Sequence, residues 1–379
     1  MKIIGISPLD KDATVSLVED GQVLFAAGEE RFSRQKQHAG FPHRALTKAL
    51  EVTGTKPEEI DEVAYAFLTA DQEARLMRKN ILGGGIVQAD GDWRAELGEA
   101  LKNPTLNRKA VPGLPDPNQR IKKGGLKKLA YWCFGTAPGL ENWMNRRLGN
   151  AWVNRAIADH RRWQLELESS LEEHHLGGKL KRYEHHLSHA ANAYLMSGME
   201  RTLIVTLDGY GSGLAGSVSL GEGGRIKRLQ NIRYPSSLGT FYENVTAALG
   251  YKPDRHAGKI VGLAAYGDPS ILGEVLLGRF KQIGGDYEIL SALNYFFDRF
   301  LATEFTMIDV AAAYQHVLEV VATNLVDYWV RASGCSNVVL SGGVTANVKM
   351  NQRIFDVPGV SNIIVYPNMG DGGCGRASL

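Results

Sequence analysis

Apolar residues gather in short runs near both ends of the chain. Strands and turns alternate first: residues 2–7 and 13–19 read as strands, and Asp20-Gly21 is a hairpin dipeptide leading into a third run at 22–27. The period then changes. Residues 42–52 repeat as a helix, with Pro42 near its start and Gly54 just past its end. A fourth strand is predicted at 60–67. From Thr202 the pattern restarts: Thr202-Leu203-Ile204-Val205-Thr206-Leu207 reads as a buried strand. Strands at 215–220 and 225–233, a helical region and strands ending at Leu340 and Tyr366 follow. Between the two patterns, 71–182 has turn-rich parts (Gly83-Gly84-Gly85 and residues 112–117) and charged, helix-like parts.

A β-β-β-α-β opening that restarts predicts an α/β, duplicated ribonuclease-H-like fold, the architecture of actin, Hsp70 and sugar kinases, with a cleft between its halves. Residues 1–70 form the first half of subdomain I, 71–182 an insertion, 183–200 a helix of subdomain I that carries His185 and His189, and 201–379 subdomain II. From 101 to 183 there are sixteen Lys or Arg against seven Asp or Glu, and Trp93, Trp132, Trp143, Trp152 and Trp163 fall in or beside this stretch. Such a basic, Trp-bearing insertion suits a bulky or anionic acceptor or a lipid surface. The plainer expectation is that the tryptophans pack the insertion onto its parent domain.

Composition narrows the classes. The 379 residues carry a formal charge of +2, which gives no general case for nucleic acid. Cys133, Cys335 and Cys374 are far apart and form no CxxC pair, which fits a reducing compartment and excludes a zinc ribbon. No apolar stretch is long enough to span a bilayer, and the chain opens directly on a strand, so the expected location is the cytoplasm.

The candidate chemistry lies where the runs stop. His185 and His189 stand four residues apart in a helix-forming segment, so both imidazoles share one face. The strand runs end in Asp208-Gly209-Tyr210-Gly211, Ser341-Gly342-Gly343-Val344 and Gly370-Asp371-Gly372-Gly373. Glycine brings backbone close to phosphates, and two aspartates on loops after strands could complete a two-His, two-Asp set for a first-row divalent metal. Together these read as a nucleotide and metal cleft.

Ordered motifs carry a family resemblance across most of the chain outside the insertion. They are Asp12-Ala13-Thr14, Glu29-Glu30-Arg31-Phe32-Ser33-Arg34 with Lys36, Gly40-Phe41-Pro42, His185-His186-Leu187-Ser188-His189-Ala190 and Asp208-Gly209-Tyr210-Gly211. Ser237-Leu238-Gly239-Thr240-Phe241-Tyr242, the stretch from Gly258-Lys259 to Tyr266-Gly267, Ser341-Gly342-Gly343-Val344 with Asn347, and Gly370-Asp371-Gly372-Gly373 continue the set. The chain resembles the O-carbamoyltransferases of the nodulation and antibiotic-tailoring group, whose catalytic domain is similar to the tRNA threonylcarbamoyl-transfer protein.

The resemblance implies transfer of a carbamoyl group from carbamoyl-adenylate to a hydroxyl of a small-molecule or glycan acceptor. It implies a divalent metal, iron foremost, on His185, His189, Asp208 and Asp371. Gly209, Gly211, Gly342, Gly343 and Asn347 match positions that cradle the adenylate. Asp12, Lys36, His186 and Lys259 are the candidate catalytic residues. Three departures stand out. Lys11 replaces the family's usual histidine and would need a lowered pKa to move protons; Ser212 replaces a common acidic residue; and the domain that builds carbamoyl-adenylate from ATP and carbamoyl phosphate is not in this sequence. A longer protein or a partner would supply the donor. The alternatives are a non-catalytic or regulatory nucleotide-binding subunit and an ATPase or sugar kinase of the same fold. The His pair speaks against the latter, since those enzymes hold Mg²⁺ through carboxylates and water.

Overall fold

Short apolar runs buried on both faces, such as residues 3–6, 63–65, 202–208 and 338–341, produce two five-stranded sheets covered by helices. The computed structural model describes every residue except 84–86, 88–90, 103, 105–107, 111, 114, 115, 378 and 379. The predicted turns at Gly84-Gly85 and at Leu114 and Pro115 lie outside the described residues.

Strands β1 (Lys2–Ile6), β2 (Thr14–Glu19) and β3 (Gln22–Gly28) make an antiparallel meander. Helices α1 (Glu30–Ser33) and α2 (His43–Thr53) follow, and Gly54 ends α2 with a φ of 64°. Strand β4 (Glu62–Tyr65) pairs parallel with β1. Helices α3 (Ala70–Met77), α4 (Trp93–Lys102), α5 (Gly125–Thr136) and α6 (Leu140–Glu173) precede β5 (Leu180–Arg182), which joins parallel to β4. The sheet therefore reaches into the tail of the segment delimited as an insertion. Helix α7 (His185–Leu195) completes the first half.

The second half repeats the plan. Strands β6 (Arg201–Gly211), β7 (Leu214–Glu222) and β8 (Arg225–Arg233) form another meander. Then come α8 (Leu238–Ala248), α9 (Pro253–Ala264), α10 (Gly273–Leu277), the hairpin β9 (Phe280–Ile283) and β10 (Asp286–Ile289), α11 (Phe296–Glu304) and α12 (Met307–Ser333). Strand β11 (Asn337–Ser341) pairs parallel with β6, and after α13 (Val348–Phe355) strand β12 (Asn362–Val365) pairs parallel with β11; α14 (Asp371–Ala377) ends the described chain.

The sheet orders are β3-β2-β1-β4-β5 and β8-β7-β6-β11-β12. Three antiparallel strands followed by two parallel ones, twice, is the duplicated ribonuclease-H-like fold. In both halves a helix follows the last strand, and the two helices, α7 and α14, pack on each other. The core of the second half is the larger, built on α12, whose Val310, Tyr314, Val317 and Val326 are fully buried. Truncating such a side chain to alanine costs about 2–5 kcal/mol. Among the described residues no helix is long and apolar enough to cross a membrane.

Two details differ from the sequence expectation. The run ending at Leu207 continues as strand to Gly211, because β7 goes on pairing across a register irregularity between Leu207 and Gly211. Asp208 thus sits within an irregular strand rather than on a loop after it. Asp371 opens helix α14 instead of lying in a free turn.

Candidate metal centre

The centre is built outward from the start of α7. Glu184 caps that helix: its carboxylate oxygens accept from the backbone N–H groups of His186 and Leu187, each at 2.8 Å, while Arg228 Nη2 lies 2.7 Å away. The cap fixes where the helix begins and therefore which residues face inward. The Nδ1 of His185 is 3.2 Å from the Ala66 carbonyl, and its ring stacks on Phe67 at 4.7 Å. The Nδ1 of His189 is 3.0 Å from Ser341 Oγ. A carbonyl can only accept, so His185 carries a proton on Nδ1 and turns Nε2 inward, where a metal could displace any second proton.

The two Nε2 atoms are 3.1 Å apart. Asp208 Oδ2 lies 3.0 Å from His189 Nε2 and 3.3 Å from His185 Nε2, and Asp371 Oδ1 lies 3.5 Å from both. All four residues are buried. Asp208 is aimed by main chain: its Oδ1 accepts from the N–H of Gly209 at 2.8 Å and of Gly343 at 3.2 Å, leaving Oδ2 for the imidazoles.

These residues fit a divalent ion. Ligands about 2.1 Å from a common ion at tetrahedral or octahedral angles stand about 3.0–3.4 Å apart, close to the separations found. Asp371 Oδ1 is buried with no hydrogen-bond partner, an expensive arrangement unless a cation meets it. The electrostatics agree. Burial alone would disfavour charged imidazoles, yet the Cys374 sulfur and the two carboxylates hold both histidines well above their ordinary value. Burial likewise opposes ionisation of Asp208, but the two histidines hold it well below the usual range. Asp371 is held down at about 2, with Lys11 and the histidines overcoming burial and the repulsion of Asp208. Two carboxylates in this enclosure demand positive charge, and two nitrogen and two oxygen donors suit a first-row divalent metal.

The glycines shape the centre. A Cβ on Gly211 would overlap the His185 ring, and Gly342, at a φ of 95°, would drive one into the Leu207 carbonyl. Gly209 faces open space.

The structure does not bring every candidate residue to this point. His186 is buried on another face of α7, with Nδ1 3.0 Å from Thr206 Oγ1 and Nε2 unpartnered; burial depresses its pKa to about 3. Lys36 is exposed in a turn. Lys259 is exposed on α9 with its Nζ 5.3 Å from the centre of the Tyr251 ring. Neither lysine joins an ion pair among the described residues. Asp12, at a φ of 51°, lines a cavity of about 690 Å³ with Glu30, His38 and Tyr366, and none of the four donors lines that cavity. Asn347 caps α13 through the Met350 N–H and exchanges two hydrogen bonds with Gln315.

Other residues arrive as well: Lys11, which the sequence reading marked as a departure from the family, and Asp10, Cys374 and Glu73, which it did not single out. Lys11 Nζ is 3.8 Å from Asp371, and that carboxylate first, then Asp10, raises its pKa. Lys11 is therefore a fixed cation, not the lowered-pKa proton carrier that replacing a histidine would require. Asp10 has a buried, unpartnered Oδ1, and burial followed by Asp371 pushes its pKa up to about 7. Cys374, one helical turn beyond Asp371, lies within 4.8 Å of a nitrogen on each of His185 and His189. Glu73 of α3 is buried and accepts from Ser212 Oγ and Tyr210 OH, both at 2.8 Å, and Ser212 Oγ in turn lies 3.2 Å from the His185 N–H. An acid from the insertion thus stands beside Ser212, where the family commonly has one in sequence. The sole sequence signals were helical spacing for Cys374 and adjacency to the Asp-Ala pair for Asp10 and Lys11.

The chain is similar in sequence to several known proteins. An uncharacterised protein of Synechocystis sp. is 25% identical over 397 residues, covering 98% of this chain and 55% of that protein. The nodulation protein NolNO of Sinorhizobium fredii is 27% identical over 380 residues, covering 96% of this chain and 45% of that protein. The chain spans about half the length of these curated relatives. Among solved structures, component A of the (R)-2-hydroxyglutaryl-CoA dehydratase of Acidaminococcus fermentans superposes with a TM-score of 0.48 at 14% identity, covering 100% of this chain and 96% of that one. The sequence profile described as carbamoyltransferase N-terminus matches residues 2–100 and 151–377, the larger part of the sequence, and the chain belongs to that family.

Proposed function

We propose that this chain carries the transfer step of an O-carbamoylation, moving a carbamoyl group from carbamoyl-adenylate to a hydroxyl of a small-molecule or glycan acceptor. The supporting observation is the convergence of His185, His189, Asp208 and Asp371 within 4.8 Å in a chain of this family. The donor is made from ATP and carbamoyl phosphate by a further domain or a partner protein. His185, His189, Asp208 and Asp371 would hold a divalent metal, iron foremost, which would supply Lewis-acid polarisation of the carbamoyl-phosphate linkage.

The chain's own groups account for the remaining demands. The acceptor oxygen attacks the carbamoyl carbon, the carbon–oxygen bond to phosphate breaks, and AMP leaves with that electron pair. Lys11, held cationic beside Asp371, offsets charge that grows on the leaving phosphate. The acceptor's proton passes to Asp10, whose buried, unpartnered Oδ1 is available to receive it. The open side of Gly209 leaves main chain free to approach the adenylate. The acceptor is assigned to a cavity of about 1110 Å³, where Asn142, Asn145 and Arg146 of the insertion face Arg233, Tyr234 and Asp286. Its size and amide-rich lining suit a polyhydroxylated molecule.

Preformed carbamoyl-adenylate given to the purified chain tests the proposal. Metal-dependent AMP release that grows with an acceptor and is lost in Asp208→Asn supports it. AMP release indifferent to chelation and to Asp208→Asn contradicts it.

A further inference from the structure

Large apolar side chains clustered on a surface call for something to cover them. Helix α5 leaves Leu126 86% exposed, Leu129 54% and Trp132 49%, and the start of α6 leaves Leu140 at 43% and Trp143 at 49%. Leu126 and Leu129 share one face of α5 by helical spacing. Tyr131 and Phe134 meet Phe296 edge-on, Phe134 also lies 6.1 Å from the Trp143 ring and so joins α5 to the start of α6, and Lys128 pairs with Glu304 at 2.8 Å.

Charge identifies the partner. Lys122, Lys123, Lys127 and Arg147 are exposed around this face, and none takes part in an ion pair among the described residues. Arg147 lies 5.4 Å from the centre of the Trp143 ring. From residue 117 to 158 the one acidic residue is Glu141, which is buried and bonded to Arg94 and Arg279. The surface therefore combines large exposed apolar side chains with exposed cations; the one acid within 117–158 is turned inward, and Glu304 of α11 neutralises Lys128 alone. A second copy of the chain would set cations against cations.

We propose that the α5–α6 face docks on an anionic lipid surface. The lysines and Arg147 meet the headgroups, Leu126 and Leu129 enter the boundary with the acyl chains, and Trp132 and Trp143 sit at headgroup level. The inference is independent of the proposed transfer and is tested without it.

The full chain is sedimented with vesicles of pure phosphatidylcholine and with a three-to-one mixture of phosphatidylcholine and phosphatidylglycerol. Binding to the mixed vesicles is expected to be at least about tenfold tighter and to weaken with added salt. Leu126→Ser with Leu129→Ser should abolish it, and Lys122→Glu with Lys123→Glu should weaken it by about tenfold or more. These side chains are exposed, so thermal unfolding should match the parent chain. Three results overturn the proposal: no binding to either vesicle, binding unchanged in both variants, or a wild-type dimer that the leucine substitutions dissociate.

Discussion

The two halves share one topology but hold the four candidate donors by different means. On the α7 side, side chains and a single carbonyl do the holding: Phe67 stacks on His185, Ala66 accepts from it, and Ser341 meets His189. The insertion adds a further layer, since Glu73 braces Ser212 and His160 packs edge-on against Phe67 at 4.9 Å. On the β6 side, Asp208 is aimed by two main-chain N–H groups of glycines. The lesson concerns sensitivity. The imidazole side should respond to side-chain truncation and to pH, and the carboxylate side to an added methyl group on the backbone.

The largest break in that comparison is His185→Ala combined with His189→Ala, which removes both nitrogen donors. Metal per chain, measured by elemental analysis, should fall to background while the circular dichroism spectrum is kept. Metal content unchanged in a folded double variant would remove the four-donor centre.

A smaller effect should come from His160, which burial holds at a pKa of about 4. Its native state stays neutral while the unfolded chain takes up a proton below about pH 6.5. Stability is then fully present above that value and declines as pH falls toward 4, by up to about 3 kcal/mol. Urea midpoints from pH 7 to 4 should show this loss, and His160→Phe should flatten the slope. An unchanged slope would mean that His160 is not the responsible group.

On the carboxylate side a Cβ at Gly343 would stand 3.0 Å from Asp208 Oδ1. Gly343→Ala should therefore turn that carboxylate and weaken metal binding by about tenfold, the scale of an outer-layer change at a metal site. Titration with Co²⁺ measures it, and unchanged affinity would show that the glycine amide does not aim Asp208.

The least effect is expected from Lys36→Ala and Lys259→Ala. Both side chains are exposed and neither joins an ion pair among the described residues, so metal content should stay at the wild-type level and stability should move by less than about 0.5 kcal/mol. A loss of metal in either would show that the centre extends to them.

What the sequence disclosed and what it withheld follow from the range of the interactions. The strand runs at 2–7 and 202–207, the helix stop at Gly54 and the i, i+4 spacing of His185 and His189 are local properties, and each stands in the structure. His186, one residue from His185, points about 100° around the helix and so joins another environment, a consequence of helical period. Lys36 and Lys259 belong to motifs of the family, but motif membership does not set where a flexible side chain ends. Glu73 lies 139 residues from the serine it braces, and only the folded chain brings them together. The charge state of Lys11 depends on Asp371 near the far end of the chain, which local sequence does not encode.

The central claim is that four residues from both halves enclose a single ion. X-ray absorption or anomalous diffraction on the metal-loaded protein tests it most directly. The account predicts one ion about 2.0–2.2 Å from His185 Nε2, His189 Nε2, Asp208 Oδ2 and Asp371 Oδ1. An ion bound elsewhere, or a metal shell lacking either the imidazoles or the carboxylates, would contradict it.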